Sequence, residues 1–180
     1  MQTRRAVFLL LAASLVSGCG YHQIQAEDEQ VLVTASEFIE LSRRRLDQVP
    51  NLIQVVQTHA PSERETLSRV SQARDATAEH MPATPESLGD QDVLIDFARG
   101  NLELSRAVDR LLVVSENYPA LKADANFRDL QAQMEEAGGR IDTAELRYVE
   151  AVKAYNAEIG SLPNRIVAML MGARPKGEFH

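Results

Sequence analysis

Four histidines, one cysteine and twenty-six carboxylates are the groups that could bind a metal or move a proton in this 180-residue chain. His22, His59, His80 and His180 are scattered, with no His-x3-His pair and no His-Glu-x-x-His, so no zinc site is expected. Glu135 and Glu136 are neighbours, and neighbours on a helix point about 100° apart, too divergent for carboxylates that share a proton. There is no Gly-x-Ser-x-Gly elbow, no phosphate-binding Walker loop and no dinucleotide fingerprint. The expectation is a protein without catalytic residues, metal or cofactor. Nineteen Lys and Arg against twenty-six Asp and Glu leave a formal charge of −7, which argues against a nucleic-acid partner, whose phosphates demand clustered cations. Five Phe, four Tyr and no Trp argue against a sheet-rich core, and nine Gly with seven Pro leave room for long helices.

The one residue whose setting suggests a reaction is Cys19. Arg4 and Arg5 precede an apolar run from Ala6 to Val16, well short of the ~20 residues that a membrane-crossing helix needs. Such a run reads as the core of a signal peptide over residues 1–18. It ends Val16-Ser17-Gly18-Cys19, with small residues ahead of the thiol, which resembles the bacterial lipoprotein processing box. That resemblance implies a diacylated cysteine that becomes the new N-terminus and is acylated again, commonly with palmitate. Several acyl chains hold a protein stably, since each buried CH₂ contributes ~0.8 kcal/mol. With one Cys in the chain, no disulfide framework competes for that thiol. Gly20 after the cysteine lacks the aspartate linked to inner-membrane retention, so the periplasmic face of the outer membrane is favoured in a diderm cell. Processing removes Arg4 and Arg5 and no acid, so acyl chains rather than charge must hold the domain at an anionic surface.

The elements that follow are helical. Residues 19–29 are polar and unpatterned and read as a lipidated tether, with the bundle domain over 30–180. Val31, Ala35, Phe38, Ile39, Ser42, Leu46, Val49, Leu52, Ile53 and Val56 then fall on one helical face. Pro50 lies inside that pattern, where it removes one i→i−4 bond and should kink the helix. Pro61 interrupts it, and Ser62-Glu63-Arg64-Glu65 looks like a capping box that restarts it through Leu67, Val70, Ala73 and Thr77. Residues 79–92, with Pro82, Pro85 and Gly89, form the main connection. From Asp92 the spacing is coiled-coil-like: Leu94, Phe97, Asn101, Leu104, Val108, Leu111, Ser115. A last long helix opens near Asp124 with a seam from Phe127 and Leu130 to Tyr155 and Ile159, ending by Pro163, and Ile166–Met171 closes the bundle. No useful strand pattern occurs. The fold expected is therefore all-α, an antiparallel up-down helical bundle of three long helices plus a short C-terminal helix.

Three blocks of this chain resemble the LemA family of bacterial membrane-associated helical proteins. The first is Arg44-Arg45-Leu46-Asp47-Gln48-Val49-Pro50-Asn51-Leu52, continued by Glu63 and Ala73-Arg74. The second is Glu116-Asn117-Tyr118-Pro119-Ala120-Leu121-Lys122-Ala123, then Asn126-Phe127 and Leu130-Gln131. The third is Arg140-Ile141, Tyr148, Ala151-Val152, Tyr155-Asn156, Pro163 and Ile166 with Ala168. The chain departs from its relatives at Gly138-Gly139, where they carry Glu-Asn, at Glu145, where they carry Arg, and at Val149, where they carry Asn. Two glycines inside a helix cost ~1 kcal/mol each relative to alanine. The resemblance implies a non-enzymatic accessory protein of the cell envelope, beside partners such as a membrane peptidase or a TPM-domain protein.

Each polar residue of those blocks has two readings, a structural one and a partner-binding one. Arg45 at the edge of the first stripe could pair with Glu63, Glu116 or another acid of the bundle. Asn51, after Pro50, could satisfy backbone groups freed by a kink, and Asn101 on the seam could fix register. Glu116, Tyr118, Pro119 and Lys122 cluster at one loop end, which makes that end a candidate contact surface. The tyrosines of the Tyr148, Val152, Tyr155 stripe read as core. Two functions follow: an extracytoplasmic lipid-anchored scaffold or adaptor for envelope proteins, or a carrier or sensor of a small apolar ligand whose pocket opens in the bundle seam.

Overall fold

A computed structural model describes residues 2–178, with side chains described from residue 20 onward. The side chains of the expected signal segment and of Cys19 lie outside those described. Six α-helices follow one another: α1 (Gln2–His59), α2 (Arg64–Glu79), α3 (Gln91–Ser115), α4 (Pro119–Ala123), α5 (Ala125–Gly160) and α6 (Asn164–Met171). A 3₁₀ turn, Glu86–Gly89, leads into α3. Among the described residues there are no strands.

The apolar stripes decide the packing. α1 and α5 run antiparallel in one register, shown by Glu37 opposite Arg147 (3.2 Å) and Gln48 opposite Gln133 (3.3 Å). α2 returns beside α1, and α3 runs antiparallel to α2. Thr77 touches Gly100 there, and Thr77 Oγ1 donates to the Gly100 carbonyl at 2.9 Å. The result is an up-down-up-down bundle of α1, α2, α3 and α5. α2 counts as a separate, shorter member because the chain reverses at Ala60–Glu63. There Pro61 has no N–H to continue α1, and the Glu63 amide closes the turn on the Ala60 carbonyl at 3.1 Å. The core has two layers. Ile24, Val31, Phe38, Phe97, Tyr148, Val152 and Ile159 fill one; Leu46, Leu52, Val70, Leu104, Leu111, Phe127 and Met134 fill the other.

Local signals set the helix ends. Asp90 caps α3 by accepting from the Asp92 and Val93 amides, and Asp124 caps α5 by accepting from the Phe127 amide at 2.9 Å. Pro119 opens α4 at the first helical position, where its missing N–H costs nothing. Gly172, at φ 71°, ends α6 in the left-handed conformation open to glycine.

α1 continues as one helix through Pro50. Two local expectations differ from the structure. The capping box at Ser62 is not formed: α2 starts at Arg64 with no side-chain cap, because Ser62 Oγ bonds the Tyr118 hydroxyl instead, at 2.8 Å. Residues 20–29, expected to be a tether, are helical turns of α1 with Ile24 buried, and Gly20 lies against Asn164 and Val167. What holds those turns is non-local, namely α6 and the C-terminal segment. Lys176 Nζ reaches Asp28 at 2.8 Å, and Asn156 clips the segment to α5 through the Lys176 backbone and the Glu178 carboxylate. Gln91 pairs with the Glu178 backbone in both directions.

Candidate functional site

α3 and α5 are the two neighbouring long helices that do not close on each other, and the gap between them is a groove open to solvent. Its wider part is a cavity of about 710 Å³ lined by Ile95, Ala98, Leu102 and Ile141 among apolar groups and by Asp142 and Glu145 at the edge. A second cavity of about 250 Å³ continues it past Ser105 and Asp142 to Asp109, Glu135, Gly138 and Gly139. Leu102 is half exposed at the rim.

Arg45 forms the floor of the smaller cavity. It projects from α1 between α3 and α5, is only 3% exposed, and donates from Nη1 to Ser105 Oγ at 2.7 Å. Its Nε is buried with no partner, and among the described residues no carboxylate lies within ion-pair distance. The expected pairing with Glu63 or Glu116 is not made, since both sit at the far loop end. Burial pulls the Arg45 pKa below its usual value, while Asp109 and Asp142 oppose that shift; an arginine nevertheless keeps its charge in proteins. Gly138 makes the opening: a Cβ there would stand 3.7 Å from Arg45 Nη2. Asn101, on the seam, donates to the Phe97 carbonyl of its own helix at 3.1 Å and leaves its Oδ1 buried and unpartnered.

The groove is acidic. Asp109, Glu135, Asp142 and Glu145 face two cations, Arg45 and Arg99, and Arg99 is engaged by Asp96 at 3.2 Å. Burial, with Asp142 adding, raises the Glu145 pKa above the ordinary carboxylate range. A carboxylate that is desolvated without a counter-cation is destabilising unless a ligand supplies that cation.

The loop-end residues are tied to one another. Tyr118 is half-buried, and its hydroxyl donates to Glu63 Oε1 at 2.7 Å. Glu63 Oε2 accepts from Thr66 at 3.2 Å, and Lys122 pairs with Glu116. These bonds clamp the α1–α2 turn to the α3–α5 connection, and they use the groups that a partner would need from Tyr118 and Glu63. Pro50, Asn51, Pro119 and Asn126 are exposed, and Phe127 is core. The Asn51 side chain makes no hydrogen bond to backbone among the described residues; it lines a shallow recess with His59, Asp124 and Asn126. Arg74 pairs locally with Asp75 at 2.9 Å. Tyr155 is buried beneath Lys176, whose Nζ stands 5.0 Å from the ring centroid. Tyr148 is core as expected, donating its hydroxyl to the Leu88 carbonyl at 2.8 Å. No group of titratable residues able to hold a metal occurs among the described residues. Nor is any helix there long and apolar enough to cross a membrane. Sequence reasoning had Arg45 and Asn101 but not the groove, whose signal was the acid-rich outer edge of two seams bordering a Gly-Gly pair.

The sequence model of the LemA family matches residues 36–180. Magnetosome proteins MamQ 1 and MamQ 2 of Paramagnetospirillum magneticum are each 25% identical over 167 residues, covering 84% of this chain. The chain spans about three-fifths of the length of these curated relatives, 61% of each.

Proposed function

The chain belongs to the LemA family, and from that premise we propose that it is a membrane-attached helical scaffold which receives a cationic amphipathic helix of a partner protein in the α3/α5 groove. The groove carries this reading, because the apolar lining of its wider part and its acidic edge are the complement of such a helix. Leu102, Ala98 and Ile95 offer apolar contact, and Asp142 and Glu145 offer two carboxylates with no cation at ion-pair distance among the described residues. The magnetosome naming of the curated relatives is in keeping with work at a membrane. Attachment is through acyl groups on Cys19, on the extracytoplasmic side, which leaves α1 rising from the membrane and the groove held above it. The role is non-enzymatic: the bundle presents a surface and moves no atoms. The groove is open along one side, which suits a peptide helix better than a small apolar ligand sealed in the seam.

Two variants, one single and one double, test the two halves of the proposal. Cys19→Ser should abolish lipid attachment, and a variant that stays as firmly membrane-bound with its signal cut at the same place would refute the lipid anchor. Asp142→Lys with Glu145→Lys should abolish co-purification of a partner that Lys122→Ala leaves in place. Loss with Lys122→Ala alone would move the contact surface to the loop end.

A further inference from the structure

α6 is apolar on both sides. Ala168 and Val167 turn inward onto the core, while Ile166, Met169 and Leu170, at the i, i+3, i+4 spacing of one helical face, turn outward. Met169 is 75% and Leu170 83% exposed, and the neighbouring Leu162 and Met171 are exposed as well. A helix that is hydrophobic all round is a helix with something against both faces.

The position of α6 says what the second surface is. Gly20 is in contact with Asn164 and Val167, so α6 lies against α1 where its described side chains begin, one residue from Cys19 and four from the apolar run Ala6–Val16. Arg165 and Arg174 flank the exposed stripe and have no carboxylate within ion-pair distance among the described residues. Apolar side chains beside free cations, at the end where the chain meets the membrane, fit the interfacial zone of an anionic bilayer. We propose that α6 lies in the membrane surface, with Ile166, Met169 and Leu170 among the acyl chains and Arg165 and Arg174 at the headgroups. α6 is then a second contact beside the N-terminal anchor, and it fixes how the bundle stands on the membrane. The proposal rests on the reading of attachment at Cys19.

Because the chain contains no Trp, one introduced Trp reports its own surroundings. The full lipidated chain carrying Leu170→Trp is reconstituted into phosphatidylcholine and phosphatidylglycerol vesicles, with brominated-acyl phosphatidylcholine as quencher, and compared with Val113→Trp at an exposed site on α3. Both positions are solvent-facing, so neither substitution disturbs packing. An apolar face buried ~5–10 Å into the bilayer places the Trp at position 170 within reach of the bromines, so its emission should fall by at least about half. The Trp at position 113 should be unaffected. Vesicle flotation separates the two ideas: protein that does not float overturns the anchor and this proposal together. Protein that floats with the Trp at position 170 unquenched and open to iodide overturns the α6 contact alone. A Trp there that is shielded from iodide but untouched by bromolipid assigns the face to a second protein surface, and likewise overturns it.

Discussion

Gly138 and Gly139 stand in the middle of α5, where two glycines should weaken the helix, and the structure states what replacing them does. Neither needs a glycine conformation, since both are helical. A Cβ at 138 would meet only the Arg45 guanidinium, at 3.7 Å from Nη2 and 3.9 Å from Cζ, which is ordinary contact; a Cβ at 139 would meet nothing within 4 Å. Alanine therefore gains helix propensity, about 1 kcal/mol at each site, partly through a less flexible unfolded chain. The double variant should be more stable by ~1–2 kcal/mol, which for a chain of this size is a rise in Tm of roughly 2–8 °C. Gly100 supplies the opposite sign. There a Cβ would stand 3.1 Å from the Thr77 Cα and 3.3 Å from its Oγ1, between the backbones of α2 and α3. Overpacking of about 1–3 kcal/mol should exceed the propensity gain, so Gly100→Ala loses stability. Urea and thermal unfolding of all three variants measure this. A loss of stability in Gly139→Ala would refute a regular α5 across that stretch, and a gain in Gly100→Ala would refute the close approach of α2 and α3.

Other perturbations act on single bonds. Tyr148→Phe leaves the Leu88 carbonyl buried without a donor and should cost about 1–3 kcal/mol in urea unfolding. Burial pushes the Tyr148 pKa up to about 12, above its value near 10 in the unfolded chain, so the folded state holds that proton more tightly. Stability should fall as pH rises from about 10 through about 12, with a shallower fall in the Phe variant. Glu145 also has a raised folded pKa, so its charged form is the destabilising one and stability improves as pH falls into the carboxylate range. Glu145→Gln should raise Tm at neutral pH and lose that advantage in acid. Asn156→Ala removes three hydrogen bonds to residues 176–178 and should release that segment, read as faster amide exchange at Lys176 and Glu178 with the α1/α5 core still protected.

The helical seams were legible because burial in a bundle is periodic. Each of Leu94, Phe97, Asn101, Leu104, Val108, Leu111 and Ser115, spaced by threes and fours, is buried. The start of the last long helix near Asp124 was legible as well, because its signal is local. What escaped was non-local. Ile24 is a lone apolar residue in a polar stretch, and only α6 and the Lys176–Asp28 pair make it part of the core. Ser62 has the composition of a cap but meets Tyr118, fifty-six positions on, which offers a better partner. The groove depends on α3 and α5 standing apart, a distance that no periodicity encodes, although Arg45 at the edge of the first stripe marked one of its residues.

A photo-crosslinking residue at Leu102, in the full chain and in living cells, tests the scaffold reading most directly. The covalently attached peptide is then sequenced. The account predicts a segment of another protein with apolar residues at helical spacing and Lys or Arg on the flanking positions, captured at Leu102 and absent when Asp142 and Glu145 are both changed to Lys. Capture of an acidic or extended segment, or capture undiminished by those charge reversals, would contradict it.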